Sequence, residues 1–332
     1  MAKVSFLGCG SWGGAMGNLL ARKGIDVTMW HRNPSVTVRM NSSRQHYLVD
    51  NLIFTSGVAF NDSAKHAISN ANIVVLALPS QRIRSLIKDN ISYFRGDQII
   101  VTLSKGIEVD TLMTVSEIIN EVLNKASPKV VALSGPSHAE EVVLGHPTAL
   151  VAASDCVASA KTVQNLFATE MLRTYLNKDI KGVELGGAMK NVIAIAAGIC
   201  DGIGYGDNSK AALMTRGMSE ISHLGKAMGA KEKTFRGLSG YGDLIVTCLS
   251  KHSRNRKLGQ LIGEGQKLNT IVNEMNMIAE GVYTAKSVHQ LSAKNKIEMP
   301  IHESIYKVLF EGKDPKDSVY ELMNRKLSEE KH

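Results

Sequence analysis

The sequence predicts an α/β chain in two parts: an N-terminal doubly wound domain over residues 1–180 and a C-terminal all-helical domain over residues 181–332. Three observations carry that prediction. Short β-rich runs alternate with helical patterns through the first half. Those runs are apolar at successive positions, as in Ile73-Val74-Val75-Leu76, which is how a strand reads when helices cover both faces of a parallel sheet. From Gly182 onward the strand signal nearly vanishes and helical periodicity takes over.

In chain order, strands are expected at Lys3 to Leu7, Asp26 to Trp30, Ile73 to Leu78, Gln98 to Leu103 and Lys129 to Leu133, with Thr148 to Ala152 and Arg173 to Leu176 extending the sheet. Helices are expected between them at Trp12 to Arg22, Gln81 to Asp89 and Thr111 to Asn124. In the second half they are expected at Gly182 to Ile203, Asn208 to Met228, Lys257 to Gly263, Ile271 to Met275, Ala279 to Ala293 and Ile301 to Phe310. Lys178-Asp179 and Gly182 break the pattern, so a helix starting there would begin at the seam between domains.

Composition narrows the function classes. A chain of 332 residues suits two domains of roughly 100–200 residues each. Hydrophobic content of 44% with 21% charged residues is ordinary for a globular protein and argues against disorder. The net charge of +8 favours anionic partners, but the basic residues are dispersed, apart from Lys251 to Lys257, and no aromatic interleaving or nucleic-acid motif accompanies them. The four cysteines, Cys9, Cys156, Cys200 and Cys248, form no close C-x-x-C pair, so thiols packed as small hydrophobes are expected, with no disulfide frame and no metal site. The longest apolar run, Val192 to Cys200, is nine residues, where a membrane span needs about 20. The run Val4 to Leu7 is too short for a signal peptide, and a cytoplasmic protein is expected.

Gly8-Cys9-Gly10-Ser11-Trp12-Gly13 fits G-x-G-x-x-G, placed after the first expected strand and opening the first helix. Gly8 permits the tight turn, Gly10 lets the backbone approach a pyrophosphate, and Gly13 lets helix and strand pack closely. N–H groups at the helix start then meet the negative charge. This context makes the first domain a Rossmann domain. After the second strand comes His31-Arg32-Asn33 with no carboxylate. A carboxylate there would favour NAD by binding the ribose 2′-hydroxyl, whereas Arg32 can pair with a 2′-phosphate, so NADP is the expected preference and NAD the second. His31 reads as a packing or stacking neighbour of that site.

The second half holds a lysine inside a nearly apolar helix, in Glu184-Leu185-Gly186-Gly187-Ala188-Met189-Lys190-Asn191-Val192. An amine there must be paired or lose its proton, which prepares it for proton transfer; a lysine snorkelling from a buried helix is the plainer alternative. Further on, a glycine-rich loop ending in Asp, Gly237-Leu238-Ser239-Gly240-Tyr241-Gly242-Asp243, leads to Ser253-Arg254-Asn255, a set of donors suited to a phosphate.

With these segments, Gly8 to Gly14, Leu103 to Glu108, Leu133 to Glu141, Gly187 to Asn191, Gly198 to Asn208, Gly237 to Cys248, Ser253 to Arg256 and Ala279 to Val282, the chain resembles the soluble, bacterial-type NAD(P)-dependent glycerol-3-phosphate dehydrogenases. The resemblance implies Lys190 as the catalytic lysine and a substrate contact, and Lys105 as a contact to both cofactor and substrate. It implies Gly135, Ser137, Asp243, Ser253, Arg254 and Asn255 around the substrate, and Ser11, Trp12, Arg32, Ala139, Arg254, Ile278 and Glu280 around the cofactor. The implied reaction is reversible hydride transfer between NAD(P)H and dihydroxyacetone phosphate, giving sn-glycerol 3-phosphate for phospholipid synthesis. Cys9 and Tyr241 depart from the residues frequent at those places, with packing consequences only expected. The expected partner is the small phosphorylated substrate, with no nucleic acid and no stable membrane insertion, and a homodimer is admissible. Two rival readings are a related 3-hydroxyacid-type dehydrogenase and a non-catalytic NADP-binding regulator using Lys251 to Lys257.

Overall fold

The structure, a computed structural model, describes residues 2–275, 279–327 and 329–330. Among the described residues eight strands form one sheet: β1 (Lys3–Leu7), β2 (Asp26–Trp30), β3 (Val58–Asn61), β4 (Ile73–Leu76), β5 (Ile99–Thr102), β6 (Lys129–Ser134), β7 (Thr148–Ala153) and β8 (Leu172–Asn177). Their order is β3-β2-β1-β4-β5-β6-β7-β8. The first six run parallel, and helices cover the sheet; strand β7 turns antiparallel to β6, and β8 then pairs parallel with β7. The two strands expected to extend the sheet do so, and the sheet is mixed at this one joint. The connection from β6 to β7 holds a single five-residue helix, Ala139–Val143, too short to carry the chain back along a strand for a parallel crossover.

The strands persist because their β-branched and apolar side chains are buried on both faces; Val74, Val75 and Leu76 of β4 are each 0% exposed. Phe6, Met16, Leu20, Met29, Val75, Val101 and Val131 share one cluster between sheet and helices. Each such fully buried side chain stabilises the fold by about 1.5–3 kcal/mol. Leu7 of β1 lies in register with Trp30 of β2 and Leu76 of β4, so three strands end level. The strand order reverses direction between β1 and β4, the crevice where doubly wound sheets place their ligands.

The chain divides into two compact units: Met1–Lys105 with Thr114–Val183, and Gly106–Met113 with Glu184–His332. The division falls inside the helix Ile180–Ile203. That helix is long and apolar enough by composition to cross a membrane, yet its apolar window is wholly buried, as befits a core helix. In the second unit it packs with Asp207–Ala227, Asp243–Leu249, Glu280–Asn295 and Pro300–Phe310 around Leu185, Met189, Ile193, Met218, Leu224 and Val288. Ile107 joins this core at 0% exposure, and Ser287 Oγ donates to its carbonyl at 3.1 Å, which explains why a short segment following Lys105 folds with the helices.

Several boundaries move. The helix expected at Thr111 to Asn124 begins at Val115, where Thr114 and Glu117 form a capping box. The helix expected from Lys257 begins at Arg254, capped by Ser253, whose Oγ accepts the Arg256 N–H. Strand β3 and the helices Pro34–Ser43, Ala64–Ser69, Val157–Phe167, Asp243–Leu249 and Pro315–Met323 were not expected.

Candidate active site

The glycine loop follows β1, and each glycine meets a different constraint. Gly8 has φ +104°, a left-handed conformation that side chains avoid, and an added Cβ would lie 2.5 Å from the Ala77 carbonyl oxygen. A Cβ at Gly13 would lie 2.5 Å from the Gly8 oxygen and 2.8 Å from the Ala77 side chain, so helix and strand are as close as their backbones allow. At Gly10 an added Cβ would meet nothing within 4 Å, which leaves open space over the start of the helix Ser11–Arg22. Trp12 Nε1 is buried with no partner among the described residues. Open backbone at a helix start plus an orphaned donor fit a dinucleotide, with first-turn N–H groups turned to its pyrophosphate.

At the end of β2, Arg32 is exposed, and Asn33 N–H donates to His31 Nδ1 at 3.1 Å. Burial, helped by the Arg32 charge and opposed by the Asn33 carbonyl, pushes the His31 pKa below the usual histidine range. Tyr47 stands edge-on to His31, ring centroids 5.5 Å apart, and stacks on His46. Neither Tyr47 nor His46 was singled out in the sequence.

Three expected residues meet at the ends of β5 and β6. Lys105 Nζ donates to the Gly135 carbonyl at 2.9 Å and to Ser137 Oγ at 2.7 Å. Gly135 has φ +129°, which turns the chain sharply out of β6. Ala139 opens the next helix and is buried.

In the second unit Lys190 is 5% exposed, and its Nζ donates to Asp243 Oδ1 at 2.7 Å and to Thr247 Oγ1 at 2.5 Å. Asp243 is 1% exposed. The lysine is thus paired inside the protein and does not snorkel. Asp243 was expected at the end of a loop; it is instead the first residue of Asp243–Leu249, and Thr247 follows four residues later on the same face. Thr247 gives its own proton to the Asp243 carbonyl at 2.6 Å, which leaves its lone pairs for the lysine. The preceding turn brings its backbone so close that a Cβ at Gly240 would lie 1.9 Å from the Phe235 oxygen.

The helix Arg254–Gly263 lies against the lysine helix at backbone distance. Added Cβ atoms at Gly198 and Gly259 would fall 1.9 Å and 2.0 Å from the Arg256 and Ile195 carbonyl oxygens. Asn255 Nδ2 donates to Asn191 Oδ1 at 3.0 Å, and Asn255 Oδ1 accepts the Gly281 N–H at 2.9 Å. Three helices are therefore stitched at the residue next to Lys190, and Asn255 has one amide hydrogen beyond that stitch. Ser253 is buried as the cap, while Arg254 is exposed. Arg256 and Lys210 both pair with Asp201, at 2.7 and 3.2 Å, so Lys210 is anchored. Glu280 begins the helix Glu280–Asn295, and Ile278 lies outside the described residues.

Burial pushes the thiols of Cys9 and Cys248 up to about 12, so both are inert at neutral pH. Among the described residues no cluster of three or more His, Cys, Asp or Glu side chains could hold a metal ion.

Two family models match the chain: NAD-dependent glycerol-3-phosphate dehydrogenase N-terminus over residues 3–160 and C-terminus over residues 179–320. A Clostridium botulinum protein named glycerol-3-phosphate dehydrogenase (NAD(P)+) is 50% identical over 331 residues, 99% of each chain. One of the same name from Carboxydothermus hydrogenoformans is 47% identical, covering 99% of this chain and 98% of its own. The crystal structure of glycerol-3-phosphate dehydrogenase from Coxiella burnetii superposes with a TM-score of 0.94 at 32% identity, covering 98% of this chain and 99% of that one.

Proposed function

The chain belongs to the NAD-dependent glycerol-3-phosphate dehydrogenase family, and from that premise we propose that it interconverts dihydroxyacetone phosphate and sn-glycerol 3-phosphate with NAD(P)H as a cytoplasmic enzyme of phospholipid precursor synthesis. The single observation that carries the chemistry is the Lys190 amine, buried in an apolar helix and held by Asp243 and Thr247. Bound NAD(P)H supplies the hydride for the ketone carbon. Negative charge then grows on the ketone oxygen, and Lys190 gives that oxygen a proton; in the reverse direction it takes the proton from the hydroxyl. Asp243 and Thr247 hold the amine in one direction, so little reorganisation accompanies transfer.

Lys105, held by Gly135 and Ser137, adds a second cation for the substrate. Arg254, Asn255 and Ser253 grip the phosphate, with Arg254 supplying the planar fork and Asn255 its remaining amide hydrogen. Gly8, Gly10, Ser11, Trp12 and Gly13 form the cofactor cradle, with Ala139, Ile278 and Glu280 as further contacts. Arg32, beside the neutral His31, favours NADPH by pairing with its 2′-phosphate. A homodimer is the proposed assembly.

The test is NADPH oxidation with dihydroxyacetone phosphate set against unphosphorylated dihydroxyacetone. The reading expects turnover on the first and little on the second; equal rates would remove the phosphate grip. In the same assay Arg254→Ala should raise the KM for the phosphorylated ketone by about tenfold or more, as loss of a charge-assisted contact does.

A further inference from the structure

His46 is a buried titratable group that the proposed chemistry does not use, and it touches the glycine loop. It is 3% exposed. Its Nδ1 accepts the backbone N–H groups of Leu48 and Val49 at 3.0 and 3.1 Å. An atom that accepts two N–H groups carries no proton, so the ring's proton sits on Nε2. Nε2 lies 3.0 Å from the Cys9 carbonyl oxygen and donates to it. Burial, opposed by that carbonyl bond, keeps the His46 pKa below the usual range, in keeping with a neutral ring. The ring is held on several sides: Tyr47 stacks on it at 5.0 Å, Phe54 tilts against it at 5.7 Å, and a Cβ at Gly14 would lie 2.6 Å away.

The consequence lies in the peptide that Cys9 shares with Gly10. That peptide is planar and trans, so its C=O and N–H point to opposite sides. A carbonyl drawn to His46 aims the Gly10 N–H the other way. Gly10 is the loop position where an added Cβ would meet nothing within 4 Å.

We propose that His46 is a positioning residue for nucleotide binding: its Nε2–H fixes the Cys9–Gly10 peptide so that the Gly10 N–H faces the dinucleotide pyrophosphate. This rests on the reading of the glycine loop as the dinucleotide site. The residue acts through backbone, so its signature is a loss confined to nucleotide affinity.

Two near-isosteric variants of the full chain separate this role from a structural one. His46→Gln carries an amide N–H near the Nε2 position and keeps the donor to Cys9. His46→Asn carries its oxygen near the Nδ1 position, keeps the acceptor for Leu48 and Val49, and loses that donor. NADPH affinity is read by nucleotide fluorescence titration and melting temperature by calorimetry. The expected result is that His46→Asn binds NADPH about tenfold more weakly than His46→Gln, as loss of one aligned donor implies. In turnover assays that loss falls on the KM for NADPH, and the KM for dihydroxyacetone phosphate holds. Equal NADPH affinity in both variants, or a larger loss in His46→Gln, overturns the proposal. An unaltered chain that binds no NADPH overturns the reading of the loop itself. If the variants do not fold, the ring nitrogen shifts of His46 in the unaltered chain decide: an Nε2–H tautomer with and without NADPH supports the proposal, and an Nδ1–H or charged ring overturns it.

Discussion

At Gly8–Gly13 the chain is shaped by side chains it lacks, whereas at Lys190 the arrangement depends on side chains brought from two helices. In the loop, a Cβ would strike backbone at Gly8 and Gly13, and at Gly10 it would enter open space. What such a loop can offer a ligand is N–H donors that every residue possesses. At the lysine, a buried ion pair joins residues 53 positions apart in sequence, and a hydroxyl from the next turn completes it. The first site is made by close approach and is robust to loss of any one charge. The second concentrates charge in a dry place, so removing one partner strands the other.

That contrast sets the order of expected effects. Lys190→Ala should lower kcat by about 10²–10⁴, the usual worth of a general acid, while NADPH binding survives because the loop is untouched. Asp243→Asn should cost about 3–5 kcal/mol of stability, because the Lys190 ammonium is left buried without its counter-charge. The double variant Lys190→Met with Asp243→Leu should recover much of that stability in thermal unfolding and none of the turnover. If the double variant is no more stable than Asp243→Asn, the ion pair is not what Asp243 supplies. Gly259→Ala should cost about 1–3 kcal/mol by forcing the Arg254–Gly263 helix off the lysine helix, and it should raise the KM for the phosphorylated ketone. A smaller effect is expected from Arg32→Ala, which should weaken NADPH by about tenfold and leave NADH nearly unchanged. Equal losses for both nucleotides would remove 2′-phosphate recognition.

The smallest effect is a pH dependence of stability. His31 and His46 both have pKa values pushed down, in each case mainly by burial. The unfolded chain therefore takes up these protons first, near pH 6.5. Stability from keeping the rings neutral is fully present above about pH 6.5 and is lost as pH falls below it toward the folded pKa values. The melting temperature should decline through that window, and His46→Gln should flatten part of the slope.

The same contrast explains what was legible in the sequence. The glycine loop is local, so its spacing after a strand pointed to the tight turn at Gly8 and the close packing at Gly13 before any coordinates, and strands β1 and β2 were placed to the residue. Strand β3 escaped because it is four residues long, at the sheet edge, with only Val58 buried. The helix Pro34–Ser43 escaped because it buries only Thr37 and Met40, although Asn33 as cap and Pro34 after it form a readable start signal. Thr247 was missed for a related reason. With Asp243 assigned to a loop, the four-residue spacing that puts both on one helix face had no meaning. The Asn191–Asn255–Gly281 stitch joins residues 64 and 26 positions apart, a relation no local pattern encodes. His46 sits in a polar stretch without periodicity, and only the folded chain brings it 37 positions back to the Cys9 carbonyl.

The most direct measurement pairs NADPH oxidation by dihydroxyacetone phosphate with NADPH binding in the same Lys190→Ala preparation. The account predicts turnover reduced by about 10² or more with nucleotide affinity retained. Turnover at the level of the unaltered chain would contradict it, because some other group would then be delivering the proton.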